Sequence, residues 1–159
     1  MPCRDRILVA RQKGEPMHKQ LLVAFASVLV ASAIVVAQSD EIGSVEDYDA
    51  TMKEVRTTFG ALNSAMDARD GDTVLSGTAK LVEIFEQVEA FWATRNVPAA
   101  AAIATEAAAA ANEIRAALEA QAFQEIAPAR DALAATCQSC HDEYRERVDG
   151  DTRIKAGVL

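Results

Sequence analysis

The sequence predicts an all-α protein, an antiparallel up-down-up-down four-helix bundle. Three observations predict it. Four stretches carry apolar residues at steps of three and four, the repeat of one helix face. The connections between them are short, so consecutive helices must run antiparallel. No stretch carries a convincing alternating strand pattern.

The first helix is expected from Ser44 or Val45, with Ser44 as cap and Asp47 three residues on. Its stripe is Tyr48, Met52, Val55, Phe59, Leu62 and Met66. It should stop in Asp67–Asp72, where Gly71 and the aspartates suit a turn. Asp72 is the expected cap of the second helix, which runs to about Thr94 with the seam Val74, Thr78, Leu81, Phe85, Val88 and Trp92. Arg95-Asn96-Val97 interrupts the pattern, and Pro98 suits the first turn of the third helix.

That third helix, about 98 to 120, is rich in alanine, the strongest helix former. Ile103, Ala107, Ala110, Ile114 and Leu118 are its expected inward residues, and their small size would allow close approach. The fourth helix begins somewhere in 119 to 126, with Pro128 in its first turn or kinking it. Leu133, Cys137, Cys140 and Tyr144 share one face, and the helix is expected to end near Val148. Residues 149–159 read as a loose tail, and 38–44 as a frayed polar entry to the 45–148 domain.

The chemistry sits in Cys137-Gln138-Ser139-Cys140-His141. Cys-x-x-Cys-His is the attachment signature of c-type haem. Each thiol adds across one haem vinyl group, and residues three apart lie on one helix face, so both sulfurs reach the same edge of the porphyrin. His141 follows as the proximal iron ligand. The expected cofactor is therefore one covalently attached haem c, on the last helix. Other readings fit less well. A structural zinc site closes with four ligands, and a catalytic one has three protein ligands plus water. Cys137, Cys140 and His141 would make three, with no further Cys or His beyond the N-terminal segment. A thioredoxin-like pair wants a βαβ setting. A disulfide over so short a loop suits a continuing helix poorly.

The N-terminus reads as an export signal over 1–37, with Met17 as an alternative start. Basic His18-Lys19 precede the apolar run Leu21–Ala37, and Val35-Val36-Ala37 suits cleavage before Gln38. This implies a periplasmic protein, or a membrane-tethered one if the run is retained as a marginal span. Cleavage would remove Cys3 and His18, leaving His141 as the sole histidine, so no second histidine of the same subunit could ligate the iron. It would also leave 11 basic against 22 acidic residues, a net charge of −11. Such a balance argues against nucleic acid as a partner. It permits steering toward a basic redox partner protein, and it equally serves solubility alone.

Haem attachment on the last helix of a four-helix bundle resembles the class II c-type cytochromes, cytochrome c′ and its low-spin relatives. The ending Cys137-x-x-Cys140-His141-x-x-Tyr144-Arg145 is closely similar to theirs, and Met52 precedes Phe59-Gly60 at the spacing of the family's distal residue. The resemblance spans about 45 to 148. The connection around Pro98 is shorter than is typical there, which implies a more exposed haem edge. The resemblance implies that Cys137 and Cys140 hold haem, that His141 is proximal, and that Met52 faces the distal side. It also places Arg145 near the proximal face or a propionate, with a solvated arginine as the alternative. A homodimer built on the first two helices is implied as well. Tyr144 reads as packing, and Trp92 as a core or rim residue.

Two functions follow, neither enzymatic. The first is electron transfer, with Met52 opposite His141 as a sixth ligand. The second, implied by the resemblance, is binding of a diatomic gas such as nitric oxide or carbon monoxide at a five-coordinate iron, with Met52 crowding the open side. Methionine is also a common core filler. A peroxidase would want a distal acid–base group, most often histidine, which an apolar first helix does not offer.

Overall fold

The computed structural model describes residues 41–159; the expected export segment and residues 38–40 lie outside them. The described chain forms four long helices followed by a two-stranded sheet. They are α1 (Val45–Ala68), α2 (Gly71–Thr94), α3 (Pro98–Glu119) and α4 (Phe123–Tyr144), then β1 (Arg145–Val148) and β2 (Asp151–Ile154). Among these helices none is long and apolar enough to cross a membrane.

Local chemistry sets the boundaries. Ser44 and Asp47 close a reciprocal capping box, each side chain accepting from the other's backbone N–H. Arg69 ends α1 in the left-handed conformation, and its N–H and that of Asp70 return to the last carbonyls. Asp70, not Asp72, caps α2, accepting from the Thr73 N–H and hydroxyl. The helix simply starts two residues earlier than Gly71 suggested, because Gly71 takes helical geometry. Pro98 opens α3 as expected. Of the two placements expected for Pro128, the first turn or a position further inside the helix, the structure takes the second: it lies in the second turn of α4 and cannot donate to the Gln124 carbonyl.

The α2 seam is realised in full. All six expected residues are buried, and Ile84 and Phe91 join them. On α3, Ala107, Ala110 and Ile114 are buried, while Ile103 and Leu118 are half-buried. Further alanines, at 100, 101, 104, 108, 111 and 117, are buried too. Side chains this short let α3 pack closely on both α2 and α4. α1 packs on α2, but α1 and α4 do not pack closely on each other.

An aromatic cluster joins them instead. Trp92, 1% exposed, meets Tyr48 of α1 edge-on at 5.4 Å and Tyr144 of α4 at 5.6 Å. Phe91 stacks on Tyr48 at 4.5 Å, and the Arg95 guanidinium covers Phe91 at 3.6 Å while donating to the Gly43 carbonyl at 2.9 Å. This bond straps the entry segment down. Ile42 within it is buried in the core, so the segment expected to fray is anchored at its end.

The C-terminus also departs from expectation. α4 ends at Tyr144, short of Val148; Arg145–Val148, expected as its last turn, pair instead with Asp151–Ile154 of the expected tail in an antiparallel hairpin. Asp149 and Gly150 both adopt positive φ, 52° and 92°, between the closing pair Val148 and Asp151. Asp-Gly is the turn chemistry that a two-residue hairpin demands, and it outcompetes a last helical turn. The Lys155 N–H bonds the Tyr144 carbonyl and its ammonium the Asp142 carbonyl, both at 2.9 Å, so the hairpin's exit serves free carbonyls at the end of α4.

Two outcomes test this account. Trp92→Ala should destabilise the fold by about 3–5 kcal/mol in denaturant unfolding, since the fully buried indole links α1, α2 and α4. Asp70→Ala should cost stability at neutral pH and little in acid. The Asp70 carboxyl is held below its ordinary value chiefly by the Thr73 hydroxyl. Its contribution is therefore complete above about pH 4, the unfolded value, and is lost as pH falls through the lower folded value. Unfolding curves of both proteins across that range should converge at the acid end.

Candidate functional site

The gap between α1 and α4 is a cleft of about 400 Å³, within the range of small-molecule and cofactor sites. α1 contributes Tyr48, Met52, Val55, Arg56, Phe59 and Gly60. α2 supplies Phe85 and Val88 as the floor, and α3 supplies Ile103, Ala104 and Ala107. α4 supplies Thr136, Cys137, Cys140 and His141. A second chamber of about 560 Å³ shares Tyr48, Met52, Arg56, Cys140 and His141 with the first. It is walled by Tyr144, Arg145 and the hairpin residues Thr152, Arg153 and Ile154.

The periodicity of the helices places these groups. Met52, Val55 and Phe59 share the inner face of α1, and Cys137, Cys140 and His141 the inner face of α4. On α1, Met52 and Phe59 are only half-buried where Val55 and Leu62 are fully so. They project at the cleft and not into the packed seam. A Cβ at Gly60 would meet nothing within 4 Å, which suits a rim position. Alanine at 104 and 107, both nearly without exposed surface, leaves the cleft its width.

Electrostatics at α4 follow from burial. Desolvation pushes the Cys137 thiol up, and it pushes Cys140 up to about 11, with the Cys137 thiol as the next cause. Both cysteines are free and stay as thiols at neutral pH, unlike the activated thiolates of redox or zinc centres. His141 is shifted down, first by burial and then by the Arg145 charge, so its imidazole is neutral and has a lone pair to give. Tyr48 is driven up by burial and by Cys140. The neighbouring Trp92 indole acts weakly against this, though its Nε1 makes no well-formed hydrogen bond among the described residues.

Every residue singled out from the sequence lines this cleft: Met52, Cys137, Cys140 and His141 in the first chamber, Arg145 in the second. Arg145 arrives there differently from expectation. It lies beyond the last turn of α4 as the first residue of β1, and its N–H donates to the His141 carbonyl. Trp92 stays in the core, and Tyr144 packs against it. The sequence reading missed Arg56 and the hairpin wall. Arg56 was findable, four residues after Met52 on the same face. The hairpin's signal was Asp149-Gly150.

The donor set and the cavity fit a haem. Two thiols three residues apart, one neutral imidazole and one thioether converge on a space walled chiefly by aromatic, aliphatic and alanine side chains. Among the described residues no cluster of three His, Cys, Asp or Glu side chains could hold a bare metal ion. Comparison with family models, curated proteins and solved structures finds no match for the chain.

Proposed function

We propose that this protein is an exported c-type cytochrome that carries electrons, with one haem covalently held by Cys137 and Cys140, His141 as proximal ligand and Met52 as distal ligand. In this reading the helices form an antiparallel up-down-up-down bundle with the haem on its last member, and the protein works in the periplasm. The observation that carries it is the cleft in which Met52 of α1 and the Cys137, Cys140, His141 cluster of α4 line the same cavity.

The haem supplies reversible one-electron exchange at its iron; the chain supplies its setting. Cys137 and Cys140 would fix the porphyrin edge to α4, and His141 would offer its neutral nitrogen. Val55 and Phe59, flanking Met52, exclude water and present no proton donor, which favours electron transfer over peroxide chemistry. Replacement of histidine by a methionine on one side raises the potential of such a centre. The acidic surface supports a basic redox partner.

Expression with a c-type maturation system should give a red protein whose haem survives acid-acetone extraction. Cys137→Ala with Cys140→Ala should abolish that attachment. Retained covalent haem in the double variant, or full extraction from the wild type, overturns the reading.

Met52 then decides the coordination. The wild type should be low-spin, with a sulfur-to-iron charge-transfer band at the red end of its spectrum. Met52→Ala should turn it high-spin and make it bind carbon monoxide readily. A wild type that is already high-spin and takes up carbon monoxide makes diatomic-gas binding the function, with Met52 as the bulky apolar group that crowds the open face.

A further inference from the structure

Five residues line both chambers of the cleft: Tyr48, Met52, Arg56, Cys140 and His141. The junction they mark holds both candidate axial ligands, one from α1 and one from α4. Tyr48 stands there one helical turn before Met52, on the same inner face. Two hydroxyls line the inner chamber, those of Tyr48 and Thr136. The Thr136 hydroxyl donates to the Leu133 carbonyl at 2.7 Å. The Tyr48 hydroxyl has no such outlet.

The Tyr48 ring is held on two sides, stacked on Phe91 at 4.5 Å and edge-on to Trp92 at 5.4 Å. Its hydroxyl is thereby fixed in place. Among the described residues, the hydrogen-bonding group that bears on this hydroxyl is the Trp92 indole N–H. That nitrogen is buried and has no well-formed bond of its own. An indole N–H only donates, so the phenolic oxygen has a donor beside it while the phenolic hydrogen finds no acceptor on the described chain. Burying donors without an acceptor costs stability, and phenylalanine at 48 would avoid part of that cost. The missing acceptor therefore belongs to whatever occupies the cleft.

We propose that the Tyr48 hydroxyl, with the Trp92 indole N–H behind it, donates a hydrogen bond to the outer atom of a small inorganic ligand held at the haem iron opposite His141, so that the site favours ligands with negative charge on that atom. This rests on the cytochrome reading and applies when Met52 is off the iron. Two donors in series strengthen each other, because a hydrogen bond accepted by the phenolic oxygen polarises its O–H. A donor fixed by ring stacking needs no reorganisation when the ligand arrives. Arg56, the other donor that reaches the junction from α1, is exposed and carried on a flexible stem, so water competes for it. A protonated phenol donates but supplies no base at neutral pH, so the device selects a ligand without adding the acid–base group of a peroxidase.

The test uses the full holoprotein, in whichever of the wild type and Met52→Ala takes up carbon monoxide. In that background Tyr48→Phe keeps the ring and its stacking and removes only the hydroxyl. The C–O stretch of bound carbon monoxide should rise, since a donor at the oxygen weakens that bond. The ferric protein's affinity for fluoride should fall by about tenfold or more, the worth of one hydrogen bond to an anion. Trp92→Phe should move both readouts the same way by less; if it does not fold, Tyr48→Phe carries the test alone. Arg56→Gln should leave the stretch in place, because an exposed charge is screened by water. A stretch and a fluoride affinity unmoved in Tyr48→Phe overturn the proposal, and so does a shift that follows Arg56→Gln instead. If neither background takes up carbon monoxide, the iron is closed to small ligands; the proposal then falls and the electron-carrier reading stands. Absence of thioether-bound haem in the wild type overturns the cytochrome reading itself.

Discussion

Trp92 is the contact on which the rest of this structure depends. The two helices that carry the site's chemistry, α1 and α4, do not pack closely on each other. They are held at a distance by what lies between them, and at one end that is the Trp92 indole, edge-on to Tyr48 and against Tyr144. An indole is rigid and large, so it works as a spacer where two aliphatic side chains would let the helices collapse together. The other boundary of the cleft is set by the opposite device. The alanines of α3 let that helix sit close to α2 and α4, and Ala104 and Ala107 leave unfilled the volume that larger side chains would take. One bulky residue and a row of minimal ones thus produce the same cavity from two sides.

The chemistry of the site is then a consequence of where the core is incomplete. Two thiols and an imidazole on a solvated helix face would titrate near their ordinary values. Beside the cleft, burial raises the thiols and lowers the imidazole, which leaves all three groups neutral. Neutral groups cost little to enclose. Most charged groups stand at the mouth, where Lys53 pairs with Asp49 and Arg153 with Glu146, while Arg56 lines both chambers. The inner chamber is therefore walled chiefly by apolar side chains, and most of the charged groups, Glu46 and Asp49 among them, stand in the outer one.

Much of this was legible in the sequence, because helix periodicity is a local property. Steps of three and four assigned every α2 seam residue correctly, and the same arithmetic put Met52, Cys137 and Cys140 on inward faces. What escaped was the competition at segment ends. Asp70 and Asp72 are both good caps, and only the returning N–H groups at the end of α1 decide for Asp70. Arg145 to Val148 continues a helical charge pattern plausibly enough, but the Asp149-Gly150 turn and the pairing of Glu146 with Arg153 give those residues a better alternative. Ile42 was hidden because one apolar residue among polar neighbours carries no period; its burial depends on the Arg95 strap, a contact 52 residues away in sequence.

The consequence for function lies in the ownership of the two sides of the cleft. Cys137, Cys140 and His141 belong to one helix, so their mutual geometry is fixed by α-helical spacing and needs nothing else. Met52 belongs to α1, and its reach toward α4 is fixed only through Trp92 and the α2–α3 layer. A thioether is a weak ligand that tolerates little stretch. On the cytochrome reading, attachment is therefore a local property of the α4 sequence, whereas sixth coordination is a tertiary one. The choice between electron transfer and gas binding would then be set by core packing some distance from the iron, in the spacing that Trp92 maintains between Tyr48 and Tyr144.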